Sequence, residues 1–201
     1  MKNKFLLIVF ALLFTFGIAF ADNNLISAKT SKKVLVAYYS WGGNTKSIAE
    51  KIHKKVGGDI FEIVPKTPYP KDYRKTCDVA KEQKEKGILT PLKSNIDVSK
   101  YDVIFVGTPA WWYSMATPVK SFLISNQKGF KGKIIVPFVT HGGGGKYNIP
   151  AEMKEISKAQ VLKKEFVVYE NGDSSTDKNM DKWIKELGLS ILFQNLIKTI
   201  F

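Results

Sequence analysis

Val34-Leu35-Val36-Ala37-Tyr38-Tyr39-Ser40-Trp41-Gly42-Gly43-Asn44-Thr45 joins a continuously apolar run to a polar, glycine-rich turn. Six successive apolar, β-prone residues are the pattern of a central strand covered on both faces. After the turn, Ile48, Ile52 and Val56 recur at four-residue spacing with Glu50, Lys51, Lys54 and Lys55 between them, which predicts a helix that buries one stripe and stops at Gly57-Gly58. Ile60 to Val64 then reads as a second strand, ended by Pro65. Strand, turn, helix and strand in this order make one parallel βαβ unit.

The same alternation continues to the end of the chain. Val103 to Val106 and Ile134 to Val139 read as strands three and four, and Val161 to Tyr169 as strand five. Val119, Phe122 and Leu123 mark a helix starting near Pro118, Ala151 to Lys158 a further helix, and Met180, Trp183, Ile184 and Leu187 the last helical stripe before Gly188. Thr67 to Ile96 is punctuated by Pro68, Pro70 and Pro91 and carries a charged helical segment from about Tyr73 to Lys86, ended by Gly87. That segment is expected to cover one sheet face and to wall the site. Five strands with right-handed crossovers predict an α/β fold, a doubly wound five-stranded parallel sheet of order 2-1-3-4-5 with helices on both faces. Ligands of such sheets bind where the winding reverses, at the carboxyl ends of strands one and three.

The ends of the chain read differently. Lys2 and Lys4 precede an apolar run from Phe5 to Phe20, and Ala19-Phe20-Ala21 supplies a small-x-small cleavage pattern before Asp22, so residues 1–21 read as a signal peptide and the chain as exported. An uncleaved membrane anchor is the alternative; no cysteine follows the run, which excludes a lipoprotein anchor. Residues 22–32 read as a polar linker, 33–189 as the domain, and 190–201 as an apolar tail that packs on the core or on a partner. With a single cysteine, Cys77, an exported chain has no internal disulfide and relies on its core. The net charge is +13, or +11 without residues 1–21. The lysines are scattered over helix faces, which argues against nucleic acid and for a solvated basic surface that steers an acidic redox partner or an anionic membrane surface.

Three segments carry the chemistry. Ser40-Trp41-Gly42-Gly43-Asn44-Thr45 presents short hydroxyl and amide side chains and curled backbone at the positive end of a helix, a place suited to phosphate. It is no P-loop, because Lys46-Ser47 follows Thr45 where that motif requires Gly-Lys-Ser/Thr, and G-x-G-x-x-G is absent. A plain Gly-Asn turn capped by Asn44 or Thr45 is the structural alternative. Gly107-Thr108-Pro109-Ala110-Trp111-Trp112-Tyr113 sets three large aromatics in a row, which suit a planar ring or, for at least one Trp, a cluster with residues 67–96. Thr140-His141-Gly142-Gly143-Gly144-Gly145 allows close backbone approach and offers polar contacts to a ring edge, His141 as a hydrogen-bonding or structural group.

In this order and spacing the three segments resemble those of the flavodoxin family, closest to the branch with a paired Trp in the second loop; the resemblance covers roughly Lys33 to Gly188. It implies non-covalent FMN. Ser40, Asn44 and Thr45, with backbone N–H groups of Gly42 and Gly43, would bind the phosphate. Trp41 completes that loop. Thr108, Pro109, Ala110, Trp111, Trp112 and Tyr113 would lie on one side of the isoalloxazine, and Thr140, His141, Gly142 and Gly143 on the other. Two departures stand out. Gly42 occupies a position where many flavodoxins carry a hydroxyl residue, and Tyr113 one where this branch more often has Gly, which would restrict the backbone rearrangement that stabilises the semiquinone. The resemblance implies electron transfer without catalytic residues or metal. Two rivals are an FMN-dependent NAD(P)H:quinone or nitro reductase and a flavin-free basic module at a membrane surface.

Overall fold

The computed structural model describes residues 32–188. The signal-peptide reading, most of the linker and the apolar tail lie outside them. Within them the elements run β1 (Val34–Tyr38), α1 (Asn44–Val56), β2 (Asp59–Glu62), α2 (Tyr73–Lys86), β3 (Val103–Trp111), β4 (Ser114–Met115), α3 (Thr117–Ser125), β5 (Ile134–His141), α4 (Ile149–Ser157), β6 (Gln160–Val161), β7 (Phe166–Tyr169) and α5 (Thr176–Glu186).

The sheet runs β2-β1-β3-β5, with β6 and β7 both parallel to β5 at the far edge and β4 folded antiparallel onto β3. This is the doubly wound arrangement that the sequence predicts. Strand periodicity splits the core into two layers. Leu35, Ala37, Ile104, Val106 and Ile135 pack against α3 and α4 on one face, while Val34, Val36, Val103, Phe105 and Val136 pack against α1 and α5 on the other.

The fifth strand departs from the expectation of one continuous run from Val161 to Tyr169. It is broken into β6 and β7, paired to Ile134–Ile135 and Phe138–His141. The backbone of β5 explains the gap. The Ile135 and His141 carbonyls accept from Leu162 and Glu170 across this edge at 2.9 and 2.8 Å. Pro137 lies between them on the same edge and has no N–H to donate, so the ladder lapses opposite it.

Two further boundaries move the functional segments. Strand β3 extends to Trp111 and β5 to His141, so Gly107 to Trp111 of the second segment and Thr140 and His141 of the third are strand. Gly107 to Pro109 are laddered to Phe138 to Thr140, and Ala110 and Trp111 pair with Met115 and Ser114. Only Trp112 and Tyr113 form the turn. Gly107 is required for close approach: a Cβ there would lie 2.1 Å from the ring of Phe138, its cross-strand partner.

Candidate functional site

The carboxyl ends of β1, β3 and β5 open into one cavity of about 1000 Å³, lined by all three sequence segments and by one face of α2. From the first segment come Ser40, Trp41, Gly42, Asn44 and Thr45, from the second Pro109 to Tyr113, and from the third Thr140, His141 and Gly142. Gly43, Thr108 and Gly143 do not line it. Thr108 is fully buried; its hydroxyl accepts the Ala116 N–H at 3.0 Å and donates to the Pro109 carbonyl at 2.9 Å, so it secures the return of the hairpin.

The first segment is built to receive an anion. Gly43 takes a left-handed conformation, φ +93°, as the chain turns into α1. The helix has no side-chain cap and no acidic residue in its first turn, so its leading N–H groups lack a partner from their own cap residue. The Ser40 hydroxyl accepts the Gly43 N–H at 3.1 Å and holds the loop closed behind them. An added Cβ at Gly42 would meet nothing within 4 Å, so its missing side chain leaves open space in this cradle. At its base Thr45 and Thr140, both buried, share a hydroxyl–hydroxyl bond of 2.8 Å that ties the first segment to the third.

The second segment forms a two-residue hairpin turn of left-handed residues, a geometry that ordinarily selects Asn-Gly. Here it is made by Trp112 at φ +47° and Tyr113 at φ +67°. Helix α2 holds it. The Trp112 indole donates to the Cys77 carbonyl at 2.9 Å, Lys84 donates to the Trp112 carbonyl, and the Lys81 and Lys84 ammonium groups stand 5.5 and 5.7 Å from the Trp112 and Tyr113 ring centres. Trp111 turns inward, edge-on to Tyr39 at 5.6 Å and Tyr69 at 5.1 Å. Burial pushes both of those phenols above the ordinary tyrosine range. Both tryptophans therefore contact residues of 67–96, while still lining the cavity.

On the opposite side, the Gly143 N–H donates to His141 Nδ1 at 3.0 Å, which leaves Nε2 as the donor nitrogen of the ring. Tyr147, at φ +48°, folds back across the mouth to meet Tyr113 edge-on at 5.0 Å.

Several lining residues were not singled out in the sequence. Tyr73, Arg74, Thr76, Cys77, Asp78 and Ala80 come from α2, Tyr147 follows the Gly142–Gly145 run, and Glu170 follows β7. The signal for Glu170 was its place after the last strand, since all parallel strands end on the same side of the sheet. His53 lies away from the cavity, its Nε2 3.0 Å from the Gly58 carbonyl.

An uncapped helix terminus at one end and aromatic walls at the other fit a group that is phosphate at one end and flat heterocycle at the other. The flavodoxin family model matches residues 33–187. The chain belongs to the flavodoxin family. It is similar over 78% of its length to a solved protein of Bacteroides eggerthii described as a flavoprotein (29% identity, 98% of that chain, TM-score 0.64). It is similar over 76% of its length to a flavoprotein of Lactobacillus acidophilus solved in complex with FMN (28% identity, 98% of that chain, TM-score 0.60). Curated relatives match shorter stretches. A flavodoxin of Haemophilus influenzae is 32% identical over 79 residues, 39% of this chain and 32% of that protein. An NAD(P)H dehydrogenase (quinone) of Gluconacetobacter diazotrophicus is 35% identical over 94 residues, 45% of this chain and 44% of that protein. The chain thus spans less than half the length of either curated relative. As a family member it is a flavodoxin-like flavoprotein.

Proposed function

We propose that the chain carries electrons on FMN bound non-covalently in this cavity. The observation that carries the proposal is the meeting, in one cavity, of an uncapped helix N-terminus with the aromatic wall of Trp111 to Tyr113. Ser40, Asn44, Thr45 and the first-turn N–H groups of α1 would hold the phosphate, with Gly42 leaving room for it. Trp111, Trp112 and Tyr113 on one side, and Thr140 to Gly142 on the other, would flank the ring. When bound, FMN supplies one- or two-electron chemistry.

The chain's own residues set the environment of that chemistry. Trp111, held by Tyr39 and Tyr69, keeps the inner end of the cavity apolar and excludes water. With Nδ1 accepting the Gly143 N–H, His141 turns Nε2 to the cavity as a donor to an acceptor atom of the ligand. The Lys84 contact to Trp112 keeps the hairpin backbone from relaxing. On the leader reading this activity would lie outside the cytoplasm, and the basic surface would receive an anionic partner.

Turnover is the second reading, favoured by the partial likeness to a quinone-reducing NAD(P)H dehydrogenase and by a cavity at the upper end of the range for small-molecule sites, on the order of 300–1,000 Å³. Anaerobic reduction of the FMN-loaded protein decides between them. A carrier is reduced by dithionite, while NADH and NADPH leave its oxidised flavin unreduced and drive no quinone reduction beyond that of free FMN. A reductase turns over either nucleotide with a quinone faster than free FMN does. A protein whose flavin absorbance does not respond to dithionite is neither.

A further inference from the structure

The exposed aromatic residues of the described chain gather in one place. Its exposed Trp and Tyr side chains are Trp41, Tyr73, Trp112, Tyr113, Tyr147 and Tyr169. The first five line the cavity, and Tyr169 stands edge-on to the lining His141 at 5.9 Å. The other large apolar side chains left exposed are aliphatic: Ile60, Ile88, Leu89, Ile124 and Val167. Tyr73 is 69% exposed, Tyr113 66% and Tyr169 58%, and Tyr169 lies outside the cavity lining. Contiguous exposed aromatics of this kind mark an interaction surface.

Basic side chains are interleaved with them. Lys81 and Lys84 lie over the Trp112 and Tyr113 rings and Arg74 lines the cavity; the acids nearby are Asp78 and Glu170 in the lining and Glu85, 3.9 Å from Lys81. This mixture separates two kinds of partner. Protein interfaces enrich Tyr, Trp and Arg but are depleted in Lys. A bilayer surface takes Tyr and Trp at headgroup level and accepts Lys, whose stem lies along apolar surface while its ammonium reaches lipid phosphate. The net charge, +11 without residues 1–21, adds long-range attraction to anionic lipid. No helix of the described residues is long and apolar enough to cross a membrane.

We propose that the aromatic and basic rim of the cavity docks on an anionic lipid surface, with Tyr73, Trp112, Tyr113 and Tyr169 at headgroup level and Lys81 and Lys84 on lipid phosphates. The cavity then opens toward the bilayer, and its electron partner is met there. The docking stands on the surface alone, with or without flavin.

Brominated lipid tests it on the full chain. The four tryptophans are Trp41, Trp111, Trp112 and Trp183, so the apolar run before residue 21 contributes no tryptophan signal. Vesicles of phosphatidylcholine with phosphatidylglycerol, brominated in the upper acyl chain, should quench emission relative to unbrominated vesicles, and Trp112→Phe should remove much of the quenched signal. Tyr73→Ser with Tyr169→Ser, and separately Lys81→Glu, should weaken quenching roughly tenfold at fixed lipid. Emission from vesicle-bound protein that bromine leaves unchanged, or quenching indifferent to phosphatidylglycerol, overturns the proposal. So does protection of the tryptophans from acrylamide by polyglutamate but not by vesicles, which assigns the rim to an acidic protein. An FMN titration on the same sample reports separately on the flavin reading.

Discussion

The Trp112 indole lies 2.9 Å from the Cys77 carbonyl and fastens a strained hairpin turn to the helix beside it. Left-handed backbone costs a non-glycine residue on the order of 1–2 kcal/mol. In the neighbouring position Tyr113 bears that cost at φ +67° with its side chain mostly in solvent. Tyr113→Gly should therefore stabilise the fold by about 1 kcal/mol in urea denaturation. A lower midpoint would mean that the contacts of Tyr113 to Tyr147 and Lys84 outweigh the strain.

Removing the anchor instead of the strain should act in the opposite direction. Trp112→Phe keeps a ring but loses the hydrogen bond, at a cost of about 1 kcal/mol. Because the hairpin walls the cavity, flavin affinity should fall about fivefold with it. Unchanged affinity would show that the hairpin holds its place without α2.

Beneath the cavity, Thr45→Val leaves the buried Thr140 hydroxyl without its partner, a cost of about 1–3 kcal/mol. Adding Thr140→Val removes the stranded group as well. The double variant should be more stable than the sum of the two single losses, read as a coupling in a double-mutant cycle. Strict additivity would show that the 2.8 Å contact contributes nothing.

Gly107→Ala sets a Cβ against the Phe138 ring at 2.1 Å, with sheet backbone on both sides. The ring has to move, so stability should drop by about 1–3 kcal/mol, and the flavin wall beyond Gly107 should shift with it. Wild-type stability in this variant would contradict the register of β3 on β5.

Tyr101 gives a pH dependence. Burial and its 2.6 Å bond to Asp59 push its phenol up to about 12, from about 10 in the unfolded chain. The folded state therefore keeps the proton longer than the unfolded state does. The associated stability is complete below pH about 10 and is lost as pH rises toward about 12. Tyr101→Phe should flatten this alkaline decline, measured by urea midpoints across that window. An unaltered decline assigns it to other groups.

Much of this architecture was written in local pattern. The four-residue spacing of Ile48, Ile52 and Val56 marked α1, and Gly87 closed α2 where expected, because stripe and cap are encoded in neighbouring residues. What local pattern missed was decided across strands. Gly107 to Pro109 look like loop by composition, yet they are laddered to β5, and Pro137 breaks a strand that is distant from it in sequence. In the site, the glycines and hydroxyls of the first segment were visible as a cradle. The α2 segment was legible as a charged helix walling the site, but not the face it turns to it. Which of its faces meets Trp112 depends on the path of residues 65–72, fixed in part by the Trp41 indole donating to the Pro70 carbonyl at 2.9 Å.

Flavin binding compared with and without its phosphate is the most direct test. Flavin-free protein titrated with FMN, and in parallel with riboflavin, should quench FMN fluorescence with a dissociation constant below about 1 μM and bind riboflavin at least about tenfold more weakly, the phosphate being held by a helix terminus. Equal affinity for the two flavins, or FMN that stays fully fluorescent at micromolar protein, would contradict the account.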